Sequence, residues 1–234
     1  MAPSERVLPP KTLRALATDF DGTLAHNGTV PEATLLALDR LKKSGMSLIL
    51  VTGRELNELI AIFPEISAFD LAVMENGAVL FHPSTGEVVA LAEPPSSDFV
   101  ATLHERGLPL MVGKVIVATW VPHEAEVLAA IKDLGLELQV VFNKGAVMIL
   151  PSGVNKATGL LAALHHLGLD AANVAGIGDA ENDHAFLELC GYSVAVANAL
   201  PSIREKAHYV TAGDHGEGVA EFIELLLQTP QSPA

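Results

Sequence analysis

Residues 13–24, LRALATDFDGTL, begin as a short, mainly apolar run and close on two carboxylates, Asp19 and Asp21, followed by Gly22. Two later runs have the same form: residues 46–51 pass into Thr52, and residues 174–177 pass into Gly178-Asp179. Apolar runs this short, bounded by turn residues, suit strands buried on both faces of a parallel sheet. Between the first two runs lies PEATLLALDRLKKSG, residues 31–45. There Pro31 suits a first helical turn, Leu35, Leu38 and Leu41 make one face, and Gly45 suits the stop. Residues 155–167 repeat the scheme, with Asn155 as cap, Leu160, Leu161, Leu164 and Leu167 as the stripe, and Gly168 as the stop. Alternating strand and helix predicts an open α/β sheet with the Rossmann-like parallel arrangement, and such sheets bind ligands beyond the carboxyl ends of their strands. The polar residues collect there.

Residues 82–152 have a different rhythm. Pro and Gly punctuation at 82–95 precedes a helix near 97–106, a strand over 112–121, a helix near 123–134, and strands over 137–143 and 146–150 joined by Lys144-Gly145. This order predicts a small α+β domain with helices on one face of a mostly antiparallel sheet. The expected division is residues 1–81 for the first core segment, 82–152 for the insert and 153–234 for the second core segment.

The chain has 234 residues, half of them apolar and 18% charged, enough to build a sizeable core. Its 14 basic and 28 acidic residues give a formal charge of -14, which offers no footprint for nucleic acid or an anionic membrane surface. An anionic substrate must therefore be met locally, by a metal ion or a few placed cations. One cysteine, Cys190, excludes an intramolecular disulfide and a multi-cysteine metal site, and a cytoplasmic location is expected. No apolar stretch has the length of a membrane span, and Pro9-Pro10 interrupts any secretory signal. Residues 1–11 and 229–234 are expected to be a lead-in and a tail.

Asp19 and Asp21 at i and i+2 can share one magnesium ion, a hard cation that prefers oxygen ligands. Val51-Thr52-Gly53-Arg54 offers a hydroxyl and backbone N–H groups to a phosphate, through Thr52 and Gly53, at a second strand end. Lys156 lies in the first turn of a helix, where a cation opposes the dipole and so calls for a reason. Residues 176–183, GIGDAEND, add Asp179 at a third strand end, with Asn182 and Asp183 at the next helix start. Carboxylates, a hydroxyl, a lysine and an acidic loop at strand ends are the parts that phosphoryl transfer needs.

With DFDGTL, VTGR, the lysine of GVNKATGL, and GIGDAEND in this order, the sequence resembles the haloacid dehalogenase-like superfamily of phosphohydrolases over residues 13–80 and 153–225. The stretch Glu75-Asn76-Gly77-Ala78 and the Asp-x-x-Asn-Asp form of the last motif are similar to its Cof-type branch, which includes sugar-phosphate phosphatases. About 100 residues separate Thr52 from Lys156, so the cap is inserted after the second motif, and it is compact like those of archaeal phosphoglycolate phosphatase-like proteins. The resemblance implies an Asp19 nucleophile that forms an aspartyl-phosphate and an Asp21 general acid and base. It also implies Mg2+ on Asp19, the Asp21 carbonyl and Asp179, with phosphoryl oxygens on Thr52 and Lys156. Asn182 matches a position that touches substrate, and Asp183 one that orients the lysine. Arg54 stays open between a surface residue and a phosphate contact.

The expected activity is Mg2+-dependent hydrolysis of a small soluble phosphorylated metabolite, a sugar phosphate or phosphoglycolate. The alternatives are a phosphomutase of the same superfamily and a non-enzymatic phosphoacceptor signalling domain. Oligomeric state is open. Strand alternation in the insert sets Val115, Val117 and Val121 opposite Lys114, Ile116 and Trp120, and Leu138, Val140 and Phe142 opposite Glu137, Gln139 and Asn143. The side with polar groups would close over the site, making Lys114, Trp120, Gln139, Asn143 and the turn residue Lys144 candidates to read the leaving group. His26, His184, His165 and His166 are expected at solvated positions, and Cys190 as a small buried hydrophobe.

Overall fold

The computed structural model describes residues 8–143 and 145–229. Residues 1–7 and 230–234, which hold most of the expected lead-in and tail, and the candidate Lys144 lie outside the described residues. The chain runs β1 (Ala15–Asp19), α1 (Glu32–Lys43), β2 (Ser47–Val51), α2 (Leu56–Ile62), β3 (Leu71–Met74), β4 (Val79–His82) and β5 (Glu87–Ala90). It continues through α3 (Ser97–Glu105), β6 (Met111–Val112), β7 (Val117–Trp120), α4 (Glu124–Asp133), β8 (Leu138–Asn143) and β9 (Ala146–Pro151). Then come α5 (Lys156–Leu167), β10 (Val174–Gly178), α6 (His184–Leu189), β11 (Tyr192–Ala195), α7 (Pro201–Arg204), β12 (Tyr209–Val210) and α8 (His215–Gln228).

The larger sheet has eight strands in the order β12-β11-β10-β1-β2-β3-β4-β5, parallel from β12 to β3 and antiparallel over the last two pairs. Strand β1 is buried at every position, as an apolar run between two helical layers must be. Its register sets Asp19 beside Val51 and Thr18 beside Ile177, so β1, β2 and β10 end level with one another. Their first polar successors therefore share one edge. Helix α5 begins on Asn155, which accepts from the N–H groups of Ala157 and Thr158, and ends on Gly168 in the left-handed region. Its packed face is Gly159, Leu160, Ala163 and Leu164, whereas Leu161, expected in the stripe, is about half exposed because it stands one residue round the helix from Leu160.

The smaller sheet has four antiparallel strands in the order β6-β7-β9-β8. Phe99 and Leu103 of α3 and Val127 and Ala130 of α4 pack with Val117, Val147 and Ile149, so both helices cover one face. The opposite face, through Ala118, Met148 and Leu150, joins the main core. Strand β5, within the range expected for the insert, pairs with β4 in the larger sheet. By sheet membership the smaller unit thus starts after residue 90. A further correction concerns the strand expected over 112–121. It is a hairpin, β6 and β7, and residues 113–116 leave the ladder between them. Alternation consequently fails there: Val115 and Ile116 both enter the main core, and Val121 is exposed. Among the described residues no helix is long and apolar enough to cross a membrane.

Candidate active site

Asp19 ends β1 with its carboxylate nearly buried, and Phe20 turns into the core against Phe63 with ring centroids 5.2 Å apart. Asp21 comes back to the same side, and Gly22 makes the turn beyond it at φ +93°. The residue that organises the cluster is Lys156. Only 2% exposed, it donates from Nζ to Asp19 Oδ1 at 2.5 Å and to Asp183 Oδ1 at 2.6 Å. Its place is set by the capped start of α5, which presses so closely on the β3–β4 loop that a Cβ on Gly77 would lie 1.9 Å from the Asn155 carbonyl oxygen.

Asp183 has both oxygens engaged: Oδ2 accepts the N–H groups of Asp179 and Ala180, each at 2.9 Å. It locks the turn after β10 and points Lys156 at Asp19. Asp179 accepts from the Thr23 hydroxyl at 3.1 Å, which ties the turn after β1 to the turn after β10. Carboxylate oxygens of Asp19, Asp179 and Asp183 lie within 4.8 Å of one another. Burial pushes the Asp19 carboxyl up to about 8, helped by the charges of Asp183 and Asp179 and opposed by Lys156. Burial alone would lower Lys156, but Asp183 and Asp19 together outweigh it and hold the ammonium charged.

Thr52 is buried just past β2, and its hydroxyl accepts the Arg54 N–H at 3.2 Å. Arg54 closes a two-pronged contact on Asp21, Nε to Oδ2 at 2.6 Å and Nη2 to Oδ1 at 2.8 Å, and its third arm reaches Glu58 at 2.5 Å. Arg54 is thus a member of the cluster rather than a surface residue. Asn182 donates to Asn76 at 3.2 Å and keeps its own Oδ1 buried without a partner among the described residues.

Above these residues lies a cleft of about 280 Å³ lined by Asp19, Asp21, Gly53, Arg54 and Lys156 below and by Met111, Trp120, Asn143 and Met148 of the smaller sheet above. Trp120 and Asn143 therefore stand where strand alternation put them, and the Asn143 Oδ1 is buried without a hydrogen-bond partner among the described residues. Lys114 and Gln139 are not among the lining residues. Lys114 is exposed and its N–H is turned to Glu75 at 2.8 Å, while the Gln139 amide donates to the Val154 carbonyl. Sequence reasoning assigned no role to Thr23 and Glu75, although both lie in motifs it singled out, and it missed Glu58 and the two methionines. Glu58 stands four residues after Arg54, which itself precedes the cap of α2. Of the remaining polar candidates, His26 is exposed but meets the His215 ring at 3.0 Å, and His165 and His166 are exposed. His184 is half-buried, with Nε2 3.3 Å from the Ser202 hydroxyl. Cys190 is buried in apolar surroundings that push its thiol up to about 12.

The sequence matches the haloacid dehalogenase-like hydrolase family over residues 16–108 and 110–223. It is 35% identical to a phosphoglycolate phosphatase of Methanothermobacter thermautotrophicus, covering 92% of this chain and 99% of that protein. It is 28% identical to phosphoglycolate phosphatase 2 of Saccharolobus solfataricus, covering 91% of each. Among solved structures it shares the fold of a Thermoplasma acidophilum protein (TM-score 0.78, 16% identity, 92% of this chain and 98% of that one). It also shares the fold of a subclass IIB sugar phosphatase of the same superfamily (TM-score 0.74, 20% identity, 90% of this chain and 98% of that one). With four motifs converging on one sheet edge beneath an inserted antiparallel cap, the chain belongs to the haloacid dehalogenase-like hydrolases and has the capped architecture of their phosphatases.

Proposed function

We propose that the protein hydrolyses a small phosphomonoester of the phosphoglycolate or sugar-phosphate kind through an aspartyl-phosphate on Asp19. The observation that carries this reading is the buried Lys156 held between Asp19 and Asp183 at the floor of a cleft roofed by the cap. Such a lysine keeps a carboxylate aimed and eases its approach to a phosphate dianion. In the first step an Asp19 oxygen attacks phosphorus, the bond from phosphorus to the ester oxygen breaks, and Asp21 gives that oxygen its proton. In the second, water attacks the phosphorus of the aspartyl-phosphate, Asp21 takes the water's proton, and Asp19 is regenerated as phosphate leaves. Both Asp21 oxygens accept from Arg54. The incoming phosphoryl group is the natural alternative partner for that guanidinium, and the exchange frees Asp21 for proton transfer. Thr52 and the Gly53 N–H complete the phosphoryl contacts.

The acidic donors fit a divalent cation. Oxygen ligands only and a cluster of buried carboxylates against one ammonium call for further positive charge. Asp19, Asp179 and the Asp21 carbonyl would hold Mg2+, while Asp183, although inside the cluster, has its oxygens occupied by Lys156 and two N–H groups. When bound, the ion neutralises charge between nucleophile and phosphoryl group.

Of the cap residues expected to read the leaving group, Trp120 and Asn143 line the cleft, with the Asn143 Oδ1 as acceptor for a leaving-group hydroxyl. Relatives that are phosphoglycolate phosphatases support phosphoglycolate as the first substrate to try. Family membership removes the signalling-domain alternative. Release of inorganic phosphate across a panel of phosphorylated metabolites, with Mg2+, with Ca2+ and after exhaustive chelation, tests the reading. Turnover with Mg2+ alone supports it, and full activity after chelation overturns the assignment of the acidic cluster. Little phosphate release together with dependence on a bisphosphate activator would show a mutase instead.

A further inference from the structure

Glu75 is a buried carboxylate that the chemistry above does not use. It begins a run of three left-handed residues in the β3–β4 loop, Glu75 at φ +51°, Asn76 at +57° and Gly77 at +105°. A glutamate enters that region only where its surroundings hold it. The hold comes from the cap. Oε1 accepts the Lys114 N–H at 2.8 Å, and Oε2 accepts those of Val115 at 2.7 Å and Ile116 at 2.8 Å. These are the residues that leave the ladder between β6 and β7, and their successive N–H groups form a nest for one carboxylate.

The same loop is tied to the catalytic floor. The Glu75 N–H donates to the Arg54 carbonyl at 3.1 Å and the Asn76 N–H to the Thr52 carbonyl at 3.0 Å. Asn76 Oδ1 accepts from Asn182, and Gly77 abuts the cap of α5. One short segment thus touches the loops after β2 and β10, the start of α5, and the inner turn of the cap. Strand β7 starts at Val117, directly after the held amides, and ends at Trp120 over the cleft. About 13 Å of strand joins the two ends.

We propose that Glu75 is a positioning residue whose carboxylate sets the register of the cap over Asp19 and so places Trp120 and Asn143 against the leaving group. The inference rests on the reading of the cleft as the leaving-group pocket. It predicts a split: substrates that need the cap suffer when the contact is broken, and chemistry that needs only the floor does not.

Two variants break the contact from opposite sides. Glu75→Gln keeps shape but turns an amino group toward an N–H. Gly113→Ala puts a Cβ 2.7 Å from Glu75 Oε1 and 2.8 Å from the Ile116 Cγ2 beside it. For both, KM for phosphoglycolate should rise about 10- to 100-fold. Turnover of acetyl phosphate, whose acetate leaves without a gripped proton donor, should stay within about threefold of the parent. Amide hydrogen exchange at residues 114–116 should quicken while exchange within α3 and α4 stays unchanged. An unaltered KM in both folded variants, or equal losses for the two phosphates, overturns the proposal. If the parent protein turns over no phosphomonoester, the reading of the site fails on its own. Exchange then decides the contact separately, and unchanged protection at 114–116 in Glu75→Gln overturns it.

Discussion

The floor of the cleft and its roof are built in opposite ways. On the floor, Asp19, Lys156, Asp179 and Asp183 are each at most 6% exposed, and the links among them join charged groups or backbone at the ends of β1 and β10 and the starts of α5 and α6. On the roof, Trp120 is about half exposed, and Asn143 brings an oxygen with no partner among the described residues. The charged groups of the floor hold one another in place, whereas the roof offers an amide oxygen that has no partner among the described residues. That difference divides the labour: a group whose partners are all internal can hold one reaction geometry, whereas an unpartnered amide can be satisfied by a substrate.

Asp19→Asn attacks the comparison at its strongest point. An amide cannot act as the nucleophile, so a purified, folded Asp19→Asn protein should show no turnover, and near-normal turnover would end the mechanism. Lys156→Met tests whether the floor is also structural. It leaves Asp19 and Asp183 buried without their cation, and it should lower stability by about 3–5 kcal/mol, read from the denaturant midpoint, besides abolishing activity. A Lys156→Met protein as stable as the parent would show that the floor is looser than its distances imply. On the roof, Asn143→Ala should raise KM about 3- to 10-fold for substrates with a leaving-group hydroxyl, equivalent to one net hydrogen bond, with stability little changed. A drop in kcat with unchanged KM would move Asn143 to the floor's category. The smallest effect is expected for Lys114→Ala, since only the Lys114 backbone is engaged. Kinetics indistinguishable from the parent are the expected result, and a changed substrate preference would return that side chain to the pocket.

The contrast extends to how each region could be read. Asp19, Thr52, Lys156 and Asp179 were legible because each directly follows or opens an element whose own pattern marks its end: an apolar run closing, or an Asn cap opening a helix. Parallel register then had to bring those ends level. Trp120 and Asn143 were legible from alternation because they lie on unbroken strands. Lys114 was misplaced because alternation was carried across residues 113–116, where the chain gives up its ladder to bind a carboxylate some 40 residues earlier. Gln139 is on the expected face, yet a backbone carbonyl within reach takes its amide. Arg54, ambiguous by itself, acquires a role only when Asp21, from a different strand end, comes within 2.6 Å.

From the sequence alone follow the parallel core, the separate cap, the acidic strand ends and the residues that would carry phosphoryl chemistry, because burial periodicity and terminal signals are local properties of the chain. Tertiary structure alone decided which cap residues face the cleft, that Asp183 locks a turn with both its oxygens, and that Glu75 joins cap to floor. Those are competitions between partners far apart along the chain. A buried carboxylate takes the N–H groups that folding brings to it, and no periodicity in the sequence records which ones they are.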